Sequence, residues 1–190
     1  MRHFTVALLA AMSAATAFAQ VGEVSLSAGA SRMNSNNISS IAGQDALVDS
    51  DFRLGLRLTL NSFRYFGHEF GYAYNHGSLQ FAGASYGMPI HQGMYNFLAY
   101  ATPEGSKIRP YAAGGAHFST FYPPGASVWQ GNGVTKFGYN YGAGVKFRVT
   151  ETWMTRFDFR DYVTGKPDFG LGPSGKLHML EVSAGFGLAF

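Results

Sequence analysis

Apolar and polar residues alternate along the C-terminal segment of the chain. One side of this segment carries Leu180, Val182, Ala184, Phe186, Leu188 and Phe190, and the other carries Glu181, Ser183, Gly185, Gly187 and Ala189. Successive side chains of a β-strand point to opposite faces, so the alternation predicts a strand with one apolar face. A free edge strand of this kind would be prone to aggregation. In a closed barrel both edges are paired and lipid covers the apolar face, so the pattern favours a membrane barrel.

The same alternation recurs in seven earlier segments, at residues 23–31, 52–61, 66–75, 89–101, 109–118, 137–149 and 153–162. The fourth is less regular because Leu98 and Tyr100 fall on its polar side, and the Ala- and Gly-rich fifth has no clear orientation. Roughly ten residues is the length with which a tilted strand spans a bilayer. The chain is therefore predicted to be all-β, with an eight-stranded antiparallel up-and-down transmembrane β-barrel.

Long and short connections alternate between these eight segments. The long ones are 33–50, 76–88, 119–136 and 163–176, and the short ones are 62–65, 102–107 and 150–151. Alternate connections of an up-and-down barrel lie on the same side. Outer-membrane barrels combine short periplasmic turns with longer extracellular loops, so we expect four long extracellular loops and both termini in the periplasm.

The N-terminus has the pattern of a secretory signal peptide. A short basic start at 1–3 precedes an apolar stretch at 4–12, and Ala17-Phe18-Ala19 forms a small-x-small cleavage site. A short amphipathic helix is the alternative interpretation. We expect residues 1–19 to be the signal peptide and residues 20–190 to form the outer-membrane barrel domain. No later stretch has the roughly 18 consecutive apolar residues of a transmembrane helix.

Composition narrows the function classes. The 190 residues include no Cys, which excludes disulfides and thiolate metal sites. Aromatic residues make up 16% and charged residues 13%, and the mean hydropathy of −0.03 is unlike that of a helical membrane protein. The formal charge is only +3 without a basic run, so nucleic acid is not an expected partner. The histidines show no metal-ligand spacing, and we expect neither a metal nor a cofactor.

Charged residues interrupt the small and polar faces in the middle of the predicted strands. We expect them to form a charge network inside the barrel, composed of Arg53, Arg57, Glu69, Lys146, Arg156, Asp158, Arg160 and Glu181. The lumen of an eight-stranded barrel is just wide enough to be filled by side chains, so these charges are expected to pair and close it. The alternative is a narrow polar path for small solutes.

With these features the chain resembles small outer-membrane barrels of the OmpA-like, or outer membrane protein β-barrel, family. The resemblance rests on the signal peptide, the eight segments, Arg109-Pro110-Tyr111, the segment 156–162 and Phe190. It implies a location in the cell outer membrane, contact with outer-membrane lipid and lipopolysaccharide, and a monomer. In this family a C-terminal strand that ends in an aromatic residue is read by the barrel insertion machinery, which implies an insertion signal at Leu180, Val182, Ala184, Phe186, Leu188 and Phe190.

His117 and Ser119 share one face of the fifth segment. The pair is similar to the His-x-Ser of lipid A 3-O-deacylases, which are also small barrels. Gly131 stands in the region where the acid of such a site would be needed, and without an orienting acid the pair does not form a triad. We therefore expect no catalytic site and favour a structural or surface-interaction role. A narrow porin and a lipid-modifying enzyme are the alternatives.

Overall fold

The computed structural model describes residues 21–41, 44–169 and 175–190. These residues form ten β-strands and a short 3-10 turn at Val128–Gln130. In chain order the strands are β1 (Val21–Asn34), β2 (Asn37–Ile41), β3 (Gln44–Phe63), β4 (Phe66–Phe81), β5 (Ala84–Gly87), β6 (Ile90–Tyr100), β7 (Ile108–Phe121), β8 (Val134–Arg148), β9 (Trp153–Gly165) and β10 (Lys176–Ala189). Among the described residues, no helix has the length and apolar character needed to cross a membrane.

Eight of these strands close into an antiparallel barrel, as the alternation predicts. The order around the barrel is β1-β3-β4-β6-β7-β8-β9-β10, and each strand pairs with its neighbour in this order. The ring is closed by β10 and β1, which pair from Asn34 opposite His178 to Glu23 opposite Ala189. No free edge remains between the first and last strands, so every barrel strand has two partners.

The two faces of the wall have opposite chemistry. On β3, Leu54 and Leu56 point outward with 47% and 48% of their surface exposed, whereas Arg53 and Arg57, which flank them, point inward and are 1% exposed. The same division of apolar outside and polar inside continues around the barrel. A soluble barrel that carries a ligand would need the reverse arrangement. The outer wall is therefore the surface that faces lipid.

The first two predicted long loops are wrong in extent, because much of each is strand. β3 begins at Gln44, and β2 pairs with this extension; β4 continues to Phe81 and pairs there with β5. Within the extension of β3, Ala46 and Val48 are buried, whereas Asp45, Leu47 and Asp49 beside them are more exposed. The surrounding Asn and Ser residues have the composition of a loop, but hairpin pairing satisfies their backbone hydrogen-bonding groups. The barrel wall is consequently longer than the predicted membrane span.

The two ends of the barrel differ. We call the end where β1 begins and β10 ends the terminal end; it carries the short links 64–65, 101–107 and 149–152. The opposite, distal end carries the β2–β3 and β4–β5 hairpins and the connections after β7 and β9. Inside the distal end, a buried apolar cluster includes Met33, Ile38, Ala46, Val48, Met88, Ile90, Phe121, Leu177 and Met179. The lumen is thus polar along most of its length and apolar at the distal end.

Candidate functional site

The eight charged residues of the predicted network all lie in the lumen, and each is at most 3% exposed. β3 supplies Arg53 and Arg57, β4 Glu69, β8 Lys146, β9 Arg156, Asp158 and Arg160, and β10 Glu181. The three residues on β9 lie two apart and therefore share the inner face of one strand. The inner-face positions of five strands thus determine which charges meet in the lumen.

Asp158 lies at the centre of this set. Its carboxylate oxygens are 2.7 Å from Arg57 Nη1, 2.8 Å from Arg156 Nε and 3.1 Å from Arg160 Nη2. The Tyr111 hydroxyl donates a further hydrogen bond to this carboxylate, and Arg156 Nη2 donates to the Tyr111 oxygen at 2.8 Å. One carboxylate therefore holds three guanidinium groups together. Such an arrangement compensates for the desolvation of buried charges only because the geometry is close and the hydrogen bonds are numerous.

Two glutamates complete this set across the lumen, and we call the whole set around Asp158 the central layer. Glu69 on β4 lies 2.9 Å from Arg156 Nη1 and 2.7 Å from Arg160 Nη2. Glu181 on β10 lies 2.7 Å from Arg57 Nη2 and 3.1 Å from Arg53 Nε. The Glu69 pairs join opposite sides of the barrel, since β4 faces β9 through the interior, whereas the Glu181 pairs join the two strands that flank β1. The central layer therefore bridges the lumen as well as lining it.

A second layer lies toward the terminal end and includes two charged residues outside the predicted network, Glu23 and Arg109. Lys146 forms an ion pair with Glu23 and donates to the Tyr100 hydroxyl at 2.9 Å. Asn61 Nδ2 donates to Glu23 at 2.9 Å, and the Arg109 guanidinium lies 3.7 Å from the centre of the Tyr100 ring. Glu23 shares a face with the serines of its strand, so its inward position could have been predicted from the sequence. The inward position of Arg109 could not, because its strand has small residues on both faces.

A third, uncharged polar layer follows toward the distal end. Arg53 Nη1 donates to Asn75 Oδ1 at 2.8 Å and also donates to Gln92, whose Nε2 donates to Ser119 Oγ at 2.9 Å. The Arg53 guanidinium also lies 4.6 Å from the centre of the Tyr162 ring. Beyond this layer the lumen becomes apolar. The ion pairs are therefore covered on the distal side by this polar layer, and the barrel wall surrounds them.

Within the described residues, the lumen holds six cations and four carboxylates that are buried. The cations are Arg53, Arg57, Arg109, Lys146, Arg156 and Arg160, and the carboxylates are those of Glu23, Glu69, Asp158 and Glu181. The excess of positive charge would favour anions over cations if solutes entered. All ten side chains project into the lumen and are buried there.

The His117–Ser119 pair is in the lumen but lacks the neighbours of a catalytic site. His117 is 3% exposed and packs edge-on against the Tyr162 ring at 5.3 Å between centroids. Neither of its ring nitrogens has a hydrogen-bond partner among the described residues, and Ser119 instead accepts from Gln92. A triad requires an acid that orients the imidazole and a hydroxyl bonded to it. The geometry therefore gives no support to nucleophilic catalysis at this pair.

The C-terminal segment lies in β10 beside β1, and its apolar residues point outward. Phe190 follows the strand and exchanges two backbone hydrogen bonds with Gly22, at 2.9 Å and 2.8 Å. Its ring covers Gly22 so closely that a Cβ at that position would lie 2.6 Å from a ring carbon. The terminal residue therefore joins the last strand to the first at the terminal end of the barrel.

A closed eight-stranded barrel with an apolar outer wall and buried ion pairs inside is an integral outer-membrane β-barrel protein. The chain belongs to the outer membrane protein beta-barrel domain family, whose model matches residues 4–190. This confirms the resemblance seen in the sequence and the location in the outer membrane. A comparison with curated proteins found no match.

Solved structures of small outer-membrane barrels are similar in fold. Neisserial surface protein A has 15% identity and a TM-score of 0.64, over 89% of this chain and 97% of that one. OprG from Pseudomonas aeruginosa has 17% identity and a TM-score of 0.64, over 90% and 95%. Ail, the attachment invasion locus protein of Yersinia pestis, was solved with the heparin analogue sucrose octasulfate and has 12% identity and a TM-score of 0.55, over 90% and 99%. At these identities the likeness shows the fold alone.

Proposed function

We propose that this protein is a structural outer-membrane barrel with a side-chain-filled lumen, which acts at the cell surface through its distal end. The observation that carries the proposal is the central layer, in which Asp158 and Glu69 hold Arg156 and Arg160 across the lumen. A continuous water path would have to displace several charge-assisted hydrogen bonds at once. The short links at the terminal end then face the periplasm, and the four longer connections face outward.

The distal end supports the surface-interaction part of the proposal. Trp129, in the connection after β7, has 96% of its surface exposed, and the segment 119–135 has no charged residue. An exposed Trp is the kind of side chain that dominates binding energy in interfaces. The charged residues of the distal strands and connections are balanced, with Arg32, Lys136, Lys166 and Lys176 against Asp45, Asp49, Asp51 and Asp168. This balance does not favour a polyanion such as the heparin analogue bound by Ail.

A narrow channel is the second candidate function. It is favoured by one observation, the excess of cations over carboxylates among the buried lumen residues, which would attract small anions. For conduction, the guanidinium groups of Arg57, Arg156 and Arg160 would have to move away from Asp158. The close contacts of all three groups support the closed barrel more strongly.

Planar-bilayer conductance distinguishes the two candidates. The wild-type protein is expected to give no current steps, because the central layer blocks the lumen. A double variant, Arg156→Gly with Arg160→Gly, removes two bridging side chains and is expected to conduct. A variant of the outer wall, Leu54→Ala, serves as the matched control and should stay silent. Reproducible steps from the wild-type protein would contradict the proposal and establish the channel.

We further propose the partners implied by the family. The C-terminal series that ends at Phe190 is offered to the barrel insertion machinery, supported by its outward apolar face and its terminal aromatic residue. The outer wall contacts outer-membrane lipid and lipopolysaccharide. Tyr141 and His178 support this contact, since both bond Asp161 at 2.8 Å and so shield a carboxylate on the outer wall. The protein acts as a monomer, and no enzymatic activity is part of the proposal.

A further inference from the structure

The terminal end of the lumen contains a small cavity with cationic side chains in its walls. Its volume is about 20 Å³, and among the residues that line it are Glu23, Ser106, Arg109, Lys146, Arg148 and Glu151. A single water molecule needs about 10–15 Å³ of such space. Sites for small organic molecules usually measure roughly 300–1,000 Å³. The cavity is therefore limited to a ligand of one or a few atoms.

The buried charges beside this cavity do not balance. In the second layer of the lumen, Lys146 and Arg109 face a single carboxylate, that of Glu23, and all three residues are at most 4% exposed. Lys146 pairs closely with Glu23, and Asn61 Nδ2 also donates to this carboxylate at 2.9 Å. Arg109 Nη1 lies 3.9 Å from the same carboxylate, at the outer limit of an ion pair. One buried cation is thus left without a counter-ion of its own, which is costly in a protein interior.

Arg109 also has unused hydrogen-bond donors. Its Nε and Nη2 have no partner among the described residues, although the side chain is buried. The guanidinium packs against the Tyr100 ring at 3.7 Å from its centre, a contact that leaves the positive charge in place. Buried donors of this kind are normally satisfied by an acceptor. Because Arg109 lines the cavity, the cavity is the place where such an acceptor can lie.

Two further donors are available at the same cavity. The ammonium group of Lys146 has three N–H groups, and its bonds to Glu23 and to the Tyr100 hydroxyl use two of them. Thr150 also lines the cavity, and its Oγ1 accepts from the backbone N–H of Trp153 at 2.9 Å. The hydroxyl proton of Thr150 is therefore free to be donated. Charged and hydroxyl donors around one small space are the groups that bind an anion.

The other acids near the cavity do not supply the missing charge. The side chain of Glu151 is 96% exposed and lies 3.8 Å from Arg148, so this ion pair is solvated at the rim. Glu104 lies in the link 101–107, and the ion-pair partner of Arg109 is Glu23 instead. Burial raises the pKa of Glu104, which lowers the charged fraction of its carboxyl group. The counter-ion of Arg109 therefore has to come from solution.

We propose that this cavity binds one small inorganic anion of the size of a halide ion. The anion accepts hydrogen bonds from Arg109, Lys146 and Thr150 and balances the charge of the second layer. The volume of the cavity excludes larger anions such as a lipid phosphate group or a sugar acid. This inference goes beyond the proposed function, because it concerns the terminal end alone and holds whether or not the lumen conducts.

Anomalous diffraction from crystals of the full barrel grown in bromide locates the anion. We expect a bromide peak within hydrogen-bonding distance of the Arg109 guanidinium. Crystals of Arg109→Gln should lack this peak. The matched control is Arg64→Gln, which removes an exposed arginine from a link at the same end and should keep the peak. A wild-type structure without the peak, or an unchanged peak in Arg109→Gln, would overturn the proposal.

Unfolding by urea shows whether the anion also binds in solution. The barrel is unfolded in lipid vesicles at constant ionic strength, with chloride replaced stepwise by gluconate, and the folded fraction is read from the gel mobility of unboiled samples. A ligand that binds only the folded state stabilises it in proportion to the logarithm of its concentration above Kd. The wild-type midpoint is therefore expected to rise with chloride. Equal midpoints in chloride and gluconate would indicate an adventitious ion only and overturn the proposal.

Ser106→Leu tests the site without changing a charge, and it keeps the proposal falsifiable if Arg109→Gln does not fold. The larger side chain fills the cavity and is expected to weaken the apparent affinity for chloride about tenfold, because the anion loses its space and its charge-assisted hydrogen bonds. Arg64→Gln should retain the wild-type dependence on chloride. A chloride dependence that Ser106→Leu leaves unchanged would assign the effect to the protein surface and overturn the site.

The failure of this inference is distinguishable from the failure of the proposed function. Current steps from a wild-type barrel that still holds bromide at Arg109 would contradict the proposed function and keep the anion site. A silent barrel without bromide would do the reverse.

Discussion

Replacing Asp158 with Ala is expected to destabilise the barrel by about 3–5 kcal/mol, the usual cost of removing one partner from a buried ion pair. The variant leaves Arg57, Arg156 and Arg160 without their shared carboxylate, in an interior where none of the three is more than 1% exposed. Glu69 and Glu181 would then compensate the remaining guanidinium groups only in part. The measurement is urea unfolding of the protein in lipid vesicles, followed by the fluorescence of its two Trp residues.

The control for this prediction is Asp51→Ala. Asp51 lies on β3 and is exposed, so its loss is expected to change the free energy of unfolding by no more than about 0.5 kcal/mol. Asp158→Asn should fall between the two, because the amide keeps the size and one acceptor but removes the charge. If Asp158→Ala unfolds at the same urea concentration as Asp51→Ala, the carboxylate is not the centre of the network and the proposed sealing of the lumen loses its main support.

The membrane-spanning part of this fold could be predicted from the sequence because its two faces have opposite chemistry. On β3 the alternation of Leu54 and Leu56 with Arg53 and Arg57 assigns each side chain to lipid or lumen. A period of two is enough for that assignment. It does not identify the ion-pair partners. Glu69 meets Arg160 across the interior, 91 positions along the chain, and that meeting depends on strand stagger and side-chain conformation.

Other features were missed because the pattern that would reveal them is weak. On β7 the small residues lie on both faces, so the inward positions of Arg109 and Tyr111 had no contrasting apolar face. The segment 33–50 has the composition of a loop, yet most of it pairs as β2 and the start of β3. Strands that extend beyond the membrane satisfy their backbone hydrogen-bonding groups by pairing, and they do not need an apolar outer face. The alternation of apolar and polar residues that predicts a lipid-facing strand is therefore absent in this segment.

Deleting Phe190 is expected to reduce the amount of folded protein in the outer membrane by about an order of magnitude. The deletion removes the two backbone hydrogen bonds to Gly22 that extend the closing seam. Unpaired backbone groups are costly in lipid, and a factor of ten corresponds to about 1.4 kcal/mol, the scale of one such hydrogen bond. It also removes the terminal aromatic residue of the proposed insertion signal. Folded protein is measured by the gel mobility of unboiled and boiled outer-membrane fractions.

Phe190→Ala separates these two contributions, because it keeps the backbone and removes only the ring. If the ring is read by the insertion machinery, this variant should lose yield in cells but refold in detergent with near wild-type stability. Phe137→Ala is the matched control, since Phe137 is an outward aromatic residue with 80% exposure on β8, away from the C-terminus. Glu181→Gln should weaken stability through loss of its pairs with Arg53 and Arg57, with little change in yield. Equal yields for Phe190→Ala and Phe137→Ala would contradict the insertion signal. Equal losses of folded Phe190→Ala in cells and in detergent would instead show that the ring stabilises the closure of the barrel.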